Sequence, residues 1–446
     1  MAASTSAACG YTTRSWCPRR PKCACPWPTI GLDSNSWSSP FFSFSAMHPA
    51  HYASPAFLES LLRAHPGAPT DLQVEHVRPF PVDNSASILA VLTAGHAGRA
   101  VGHFGVEVTW RAGGLAETRR LVLKLKPPGA EVAAMLASLA QATGEPLASV
   151  YPAYVSRTGF AHTHGRELAV YEQHVGHPLL PKIWGLHADE EHGVYVVLME
   201  YLEEVELLDS VMQPERWTDA HMRTALTQLA AWHANHLHAA PRLPALPGGE
   251  CAGPEYMLEH VPLWEGLLCS AARHFPSLYS PARVGHLRQA LAALPLHNAA
   301  LAAEPQTLIH NDLNPRNTCF RRSAAGELQF CAYDWELATY HVPHYDVAEL
   351  LCFVLDTDRY HLRATYLEHY RQQLHRLTGS YPDAAAFRHT FGVAALHFGL
   401  HRLGMYLMAH AVSPYPFLPR VVHSFFDTIE EFLPQRVAVP EQVLAQ

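Results

Sequence analysis

A histidine, an aspartate two residues later and an asparagine five further on stand together in His310-Asn311-Asp312-Leu313-Asn314-Pro315-Arg316-Asn317. Downstream, the apolar run Phe330-Cys331-Ala332 ends in Tyr333-Asp334-Trp335-Glu336 and supplies further acids. These residue types at these spacings suit phosphoryl transfer from a nucleotide. That reaction asks the protein for positioning more than for covalent chemistry. It needs a carboxylate to orient the attacking hydroxyl and hard oxygen ligands for the Mg²⁺ that bridges the phosphates. Asp312 is therefore the expected catalytic base, and Asn317 and Asp334 are the expected metal ligands.

Such residues work only if other elements hold ATP against them. Upstream of the motif the chain reads as an antiparallel sheet. A short helix from Pro55, with Phe57, Leu58, Leu61 and Leu62 on one face, precedes strand-like runs at Val74–Val77, Ile88–Thr93, Val106–Trp110 and Leu121–Lys126. Lys124 is the expected contact to the α- and β-phosphates, and Glu167, on a following helix, is its expected partner. Lys126 is the rival, with the two lysines read as alternating faces; Lys124 is preferred because Pro127 ends the strand just after Lys126. A Gly-x-Gly-x-x-Gly loop is missing, and Ser85 and Ser87 in Asn84-Ser85-Ala86-Ser87 are the candidates to cover the phosphates. A second strand pair, Pro181–Gly185 and Val194–Met199, leads into Glu200-Tyr201-Leu202. Met199, Glu200 and Tyr201 are thus candidates for contact with the adenine, through the backbone.

Beyond residue 203 the periodicity turns helical, at Arg223–Leu237, 255–274, 281–295, Tyr360–Leu377 and Phe387–Ala409. In the last of these, Leu396, Leu400, Leu403 and Leu407 form an apolar stripe expected to face the core. The expected organisation is α+β and two-lobed. A nucleotide-binding sheet lobe would span residues 47–203, and a larger, mainly helical catalytic and substrate lobe residues 204–446. Residues 1–46 are rich in Ser, Pro, Cys and Trp, lack periodicity and contain one acid, Asp33. The simplest reading is a start placed too early, with Met47 the true beginning; a transit peptide and a disordered tail are the alternatives.

Composition narrows the partners. The formal net charge is -8 and charged residues make up 16% of the chain, so no basic surface for nucleic acid is expected. No apolar stretch is long enough to span a bilayer, and a cytoplasmic location is expected. The nine cysteines show neither a disulfide framework nor paired CxxC motifs. Histidine is abundant, at 31 residues, but His162/His164, His174/His177, His341/His344 and His397/His401 lack companion ligands and read as surface and packing residues.

With these pieces in this order, the chain resembles the aminoglycoside phosphotransferase and choline kinase-like group, small-molecule kinases with the protein-kinase fold. The resemblance covers residues 75–410. It rests on Lys124, on Glu167 in a Glu-x-x-x-Tyr helix, on Leu229-Ala230-Ala231-Trp232-His233-Ala234, on His310–Asn317 and on Tyr333–Glu336. It implies ATP and Mg²⁺ as cofactors, a hydroxylated small molecule as acceptor, and Lys124–Glu167 as the phosphate-positioning pair. It makes His310 a brace of the loop, and His233 and Asp346 structural. Asn311 replaces the usual glycine, Asn314 stands where protein kinases carry a lysine, and Arg316 is a candidate to supply that charge. Asp334-Trp335-Glu336 replaces Asp-Phe-Gly and no Ala-Pro-Glu segment follows, which disfavours a protein kinase; a silent nucleotide-binding scaffold is the other alternative. Glu349, Asp356 and Asp358 are candidates to attract a cationic amine, and the aromatic residues of Tyr333–Tyr345 would suit a larger apolar alcohol.

Overall fold

The computed structural model describes residues 49–83, 101–237, 246–249, 252–302, 304–323 and 325–433. An antiparallel sheet comes first: β1 (Gln73–Phe80), β2 (Gly102–Ala112), β3 (Leu115–Lys126), β4 (Ile183–Asp189) and β5 (Val194–Glu200), in the order β1-β2-β3-β5-β4. The expected strand Ile88–Thr93 lies outside the described residues. Alternation along β3 separates two faces. Leu121, Leu123 and Leu125 are buried with Val194, Val196 and Leu198 of β5 and with Leu58, Leu61 and Leu62 of helix α1 (Pro55–Arg63). The Ser54 hydroxyl caps α1 by accepting the Phe57 N–H at 3.3 Å. Close seating of α1 requires Gly185 on β4, where any β-carbon would overlap Leu61. The other face of β3 carries Val122, Lys124 and Lys126, paired across the ladder with Met199, Val197 and Tyr195.

Helices dominate the rest. Between the strands lie α2 (Gly129–Thr143) and α3 (Thr163–Gln173); α4 (Asp219–Asn235) and α5 (Val261–His274) follow β5. Short strands β6 (Thr307–Ile309), β7 (Thr318–Arg322), β8 (Leu328–Ala332) and β9 (Thr339–His341) frame the motif-bearing loops. After them come α6 (His344–Val354), α7 (Arg363–Thr378), α8 (Ala384–Phe398), α9 (Gly404–Val412) and α10 (Leu418–Phe432). Among the described residues no helix is long and apolar enough to cross a membrane.

Three expected helices differ in detail. The span 255–274 is two helices, Pro254–Glu259 and α5, interrupted at His260 just before Pro262, which has no N–H to continue the first. Residues Thr357–Leu362 form a 3₁₀ turn ahead of α7. Between α8 and α9 the backbone opens into a π-helical turn, Gly399–Leu403. A β-carbon at Gly399 would run into the Phe425 ring of α10, so glycine admits that ring. The stripe of Leu396, Leu400, Leu403 and Leu407 is buried as expected. Helix α10 was not anticipated, although Leu418, Val421, Val422, Phe425, Phe426 and Ile429 keep helical spacing and are buried.

Several histidines are core residues. The Val342 N–H donates to His341 Nδ1 at 2.6 Å, which leaves His341 Nε2 to donate to His397 Nδ1 at 3.1 Å. His397 Nε2 then donates to Asn298 Oδ1 at 3.0 Å. Each ring is fixed as one neutral tautomer. Burial pushes His341 down to about 3 and holds His344, His397 and His401 well below the usual imidazole range. The unfolded chain takes up these protons near pH 6.5 and the folded protein does not, so stability is full above that pH and falls below it. Urea unfolding at pH 6.5 and 5.5 should differ by about 1 kcal/mol for each group, or about 4 kcal/mol for the four. A flat response would show that these histidines are protonated in the native state.

Candidate active site

The loop from β6 to β7 is fixed from beneath by buried carboxylates of α6. Asp346, in the first turn of α6, accepts the N–H of His310 at 2.7 Å and of Asn311 at 3.0 Å, and faces His233 Nε2 of α4 at 3.3 Å. Asn311 adopts φ 60°, a left-handed conformation that asparagine enters more readily than most residues. Its side chain donates to the Leu337 carbonyl at 3.0 Å, so the exchange of glycine for asparagine is accommodated. His310 packs on Trp335 with ring centres 4.5 Å apart and bonds the Tyr333 carbonyl through Nε2 at 2.9 Å. Trp232 of α4 donates to the Leu308 carbonyl of β6 at 2.8 Å.

Held this way, Asp312 is largely buried with its two oxygens unequally occupied. Oδ1 accepts from Tyr406 Oη at 2.5 Å, Arg402 at 2.8 Å and Asn314 Nδ2 at 3.2 Å. Oδ2 accepts from Asn317 Nδ2 at 2.9 Å. Burial alone would raise the Asp312 pKa, but the Arg402 and Arg316 guanidiniums and the donated hydrogen bonds hold it below the usual carboxylate range. The Asn317 amide directs both its bonds at Asp312, one to the backbone carbonyl at 3.0 Å, and so its own Oδ1 is left for another partner.

Lys124 and Lys126 lie on one face of β3, not on opposite faces, because residues two apart in a strand share a side. Both are buried and both bind Glu167 of α3: Lys124 Nζ reaches Oε1 at 2.8 Å, and Lys126 Nζ bonds Oε2. Each then spans to the segment after β8. Lys124 meets Asp334 Oδ1 at 2.6 Å, and Lys126 meets Glu336 Oε2 at 2.7 Å. Asp334 sits at φ 66° with its N–H donated to the Tyr171 hydroxyl at 3.1 Å, which gives the tyrosine of Glu-x-x-x-Tyr a partner. Burial disfavours the Asp334 charge, yet the two ammonium groups keep its carboxyl well below the usual range, while burial raises that of Glu336. Carboxylate oxygens of Glu167, Asp334 and Glu336 fall within 4.8 Å of one another. Among the described residues this is a donor set of the hard-oxygen kind that suits Mg²⁺.

The other expected contacts are placed as follows. Ser85 and Ser87 lie outside the described residues. Met199 is on the cleft face opposite Val122. The Glu200 and Tyr201 N–H groups are bonded to the carbonyls of Lys182 and Arg120, and the Glu200 carboxylate accepts from Lys182 N–H and Arg321, each at 2.6 Å. This segment therefore offers a nucleotide neither of those two N–H groups. Among the acids expected to attract an amine, Glu349 is wholly buried beneath the loop, where it accepts the Leu313 N–H at 3.0 Å. Asp356 is paired with Arg359, and Asp358 is exposed on the 3₁₀ turn before α7. Lys126, expected only as a rival to Lys124, shares its role in binding Glu167, and Arg402 and Tyr406 were missed. The shared face of the two lysines was legible from strand periodicity, whereas Arg402 and Tyr406 reach Asp312 from about 90 residues away with no local signal.

Residues 105–387 match the model of the phosphotransferase enzyme family. No curated protein matches the chain in sequence. Solved structures similar to it include an ethanolamine kinase of Plasmodium vivax, at 9% identity over 80% of this chain and 82% of that one, with a TM-score of 0.41. A thermostable mutant of aminoglycoside phosphotransferase APH(4)-Ia, in ternary complex with ADP and hygromycin B, is 15% identical over 79% and 95%, with a TM-score of 0.35. The GDP complex of aminoglycoside 2'-phosphotransferase-IIIa is 12% identical over 85% and 100%, with a TM-score of 0.38.

Removing one partner from a buried ionic network leaves the others unpaired in low dielectric. Glu167→Ala should lower the free energy of urea unfolding by about 3–5 kcal/mol. Glu117→Ala, which removes an exposed pairing with Arg119, should cost less than about 1 kcal/mol. Equal effects would mean that the network is hydrated in solution.

Proposed function

The chain belongs to the phosphotransferase enzyme family, and from that premise we propose that it transfers the γ-phosphoryl group of ATP to a hydroxyl of a small molecule, within the range of amino alcohols, aminoglycosides and related metabolites. The observation that carries this reading is Asp312: an ionised carboxylate with Oδ1 saturated by donors and Oδ2 sharing a single one, from Asn317. A free lone pair on Oδ2 is what an acceptor hydroxyl requires.

On this reading Asp312 Oδ2 accepts the hydroxyl proton as the acceptor oxygen bonds to the γ-phosphorus. The bond from that phosphorus to the β,γ-bridging oxygen breaks, and ADP leaves. Lys124 holds the α- and β-phosphates, and Glu167 fixes the Lys124 ammonium, with Lys126 as its second anchor. Met199 and the Glu200–Tyr201 backbone carbonyls line the adenine side. Mg²⁺ fits the donors present: Asn317 Oδ1 and Asp334 would hold it, with Glu336 beside them. Bound there, the ion would neutralise phosphate charge. Chain residues do the rest, since Lys124 and Lys126 pair with the two acids and Tyr171 and Trp335 fix the turn that carries them.

Asp312→Asn should lower kcat by about 10²–10⁴-fold, the usual contribution of a positioned base, with the affinity for Mg-ATP unchanged. Turnover scored by mass spectrometry over a fractionated metabolite and antibiotic library, with calorimetry for the nucleotide, gives both numbers. Normal turnover in the variant would remove Asp312 from the mechanism.

A further inference from the structure

Charge is divided unevenly across the floor of this cleft. On the side of Asp334, three carboxylates (Glu167, Asp334, Glu336) meet two ammonium groups (Lys124, Lys126), an excess of one negative charge. On the far side of Asp312 the balance reverses. Arg402 bonds Asp312 Oδ1 at 2.8 Å, and Arg316 donates to the Tyr406 hydroxyl at 2.8 Å, which itself bonds Oδ1. Two guanidiniums thus share one carboxylate. Glu349, a further acid beneath the loop, is wholly buried, accepts the Leu313 N–H at 3.0 Å and forms no ion pair with either guanidinium among the described residues; burial holds its carboxyl well above the usual carboxylate range.

The Arg402 side chain is built in. It is 4% exposed, it rises from the π-helical turn Gly399–Leu403, and its guanidinium carbon lies 5.3 Å from the ring centres of both Phe160 and Tyr406. Its Nε is buried with no hydrogen-bond partner among the described residues. Arg316 is half-buried and stands 5.2 Å from the Tyr406 ring and 5.6 Å from that of Phe417. A buried donor without a partner is costly, and a fork of guanidinium N–H groups matches the oxygens of a carboxylate or phosphate. π-Helical turns recur at functional sites.

We propose that Arg316 and Arg402 form an anion-recognising pair on the acceptor side of Asp312, so that the acceptor carries a carboxylate or phosphate group near its hydroxyl. This rests on the phosphotransferase reading above and narrows it: hydroxy acids and hydroxylated phosphates fit, and polycationic amines do not. The same chemistry could serve the transferred phosphoryl group. The position of the pair favours the acceptor, because Arg402 bonds Asp312 itself, the group that receives the acceptor proton, at the oxygen that Asn317 does not occupy.

The test uses the full chain loaded with Mg-AMP-PNP and calorimetric titration with glycerate, inorganic phosphate and ethanolamine. Glycerate or phosphate should bind the loaded protein. Arg316→Gln should weaken that binding at least tenfold, Arg316→Lys should recover part of it, and the affinity for Mg-AMP-PNP should stay unchanged in both. A thermal melt confirms that the variants are folded; Arg402→Lys, which keeps the charge and loses the fork, gives an independent second variant. Anion binding that survives Arg316→Gln and Arg402→Lys would overturn the proposal, as would ethanolamine binding with neither anion bound. If phosphate and glycerate bind only in the absence of AMP-PNP, or Arg316→Gln weakens AMP-PNP instead, the pair serves the transferred group and the proposal fails while the phosphotransferase reading stands. No binding of Mg-AMP-PNP at all would sink both.

Discussion

Glu167 is the constraint on which the rest of the cleft depends. Its carboxylate is wholly buried, at 0% exposure, and is spanned by two ammonium groups that each continue to a different acid after β8. One residue of α3 thereby connects the sheet to the segment that carries Asp334. Buried ion pairs are poor sources of net stability, because desolvation of both charges offsets most of their attraction. What this network secures is register. Lys124 and Lys126 satisfy Glu167 and their second acids together only if β3, α3 and the Asp334–Glu336 turn hold one relative placement. A shift of β3 by one residue would turn both lysines into the face packed by Leu121, Leu123 and Leu125.

The loop from β6 to β7 is secured by a different means. Asp346 satisfies two consecutive backbone N–H groups, and Glu349, one turn along the same helix, satisfies a third at Leu313. Because both acids stand on α6, the loop is referenced to a rigid element rather than to its own side chains. Trp232 and His233 of α4 reach the same place from behind, through the Leu308 carbonyl and Asp346. The β6–β7 connection is therefore a buried loop whose His310, Asn311 and Leu313 N–H groups are satisfied from α6, which lets Asp312 sit in low dielectric and remain ionised.

What could be read in the sequence follows from how local each signal is. His310–Asn317 and Tyr333–Glu336 are short contiguous segments whose residue types are dictated by the chemistry, and the structure brings them together with Lys124 and Glu167. The sheet was legible because its strand-like runs are short and broken by turns, yet the two-residue period of a strand was misapplied to Lys124 and Lys126, which share a face. The π-helical turn left no trace in the apolar stripe of Leu396, Leu400, Leu403 and Leu407, since widening one turn keeps those leucines buried while it re-aims the residue between them. Arg402 is that residue, and only the tertiary placement of α8 and α9 beside the loop reveals it. The candidates Glu349 and Asp356 were read from residue type alone, whereas Glu349 is wholly buried and Asp356 is paired with Arg359: burial and partners belong to the fold.

Two groups of charge, Lys126 with Glu336 and Arg316 with Arg402, bear on one problem. A phosphotransferase of this kind must bring a polyanionic nucleotide toward a carboxylate that has to remain ionised. In a site of low dielectric the repulsion between them is screened only by charges placed between or beside them. Lysines behind the acids on one side and arginines behind Asp312 on the other keep every carboxylate that must be ionised next to a cation. The surplus of one negative charge at Asp334 invites a cation, and the surplus of one positive charge beyond Asp312 invites an anion. A polycationic acceptor would have to approach Asp312 past two guanidiniums whose charge it could not neutralise. An acidic acceptor would complete the balance that the chain leaves open.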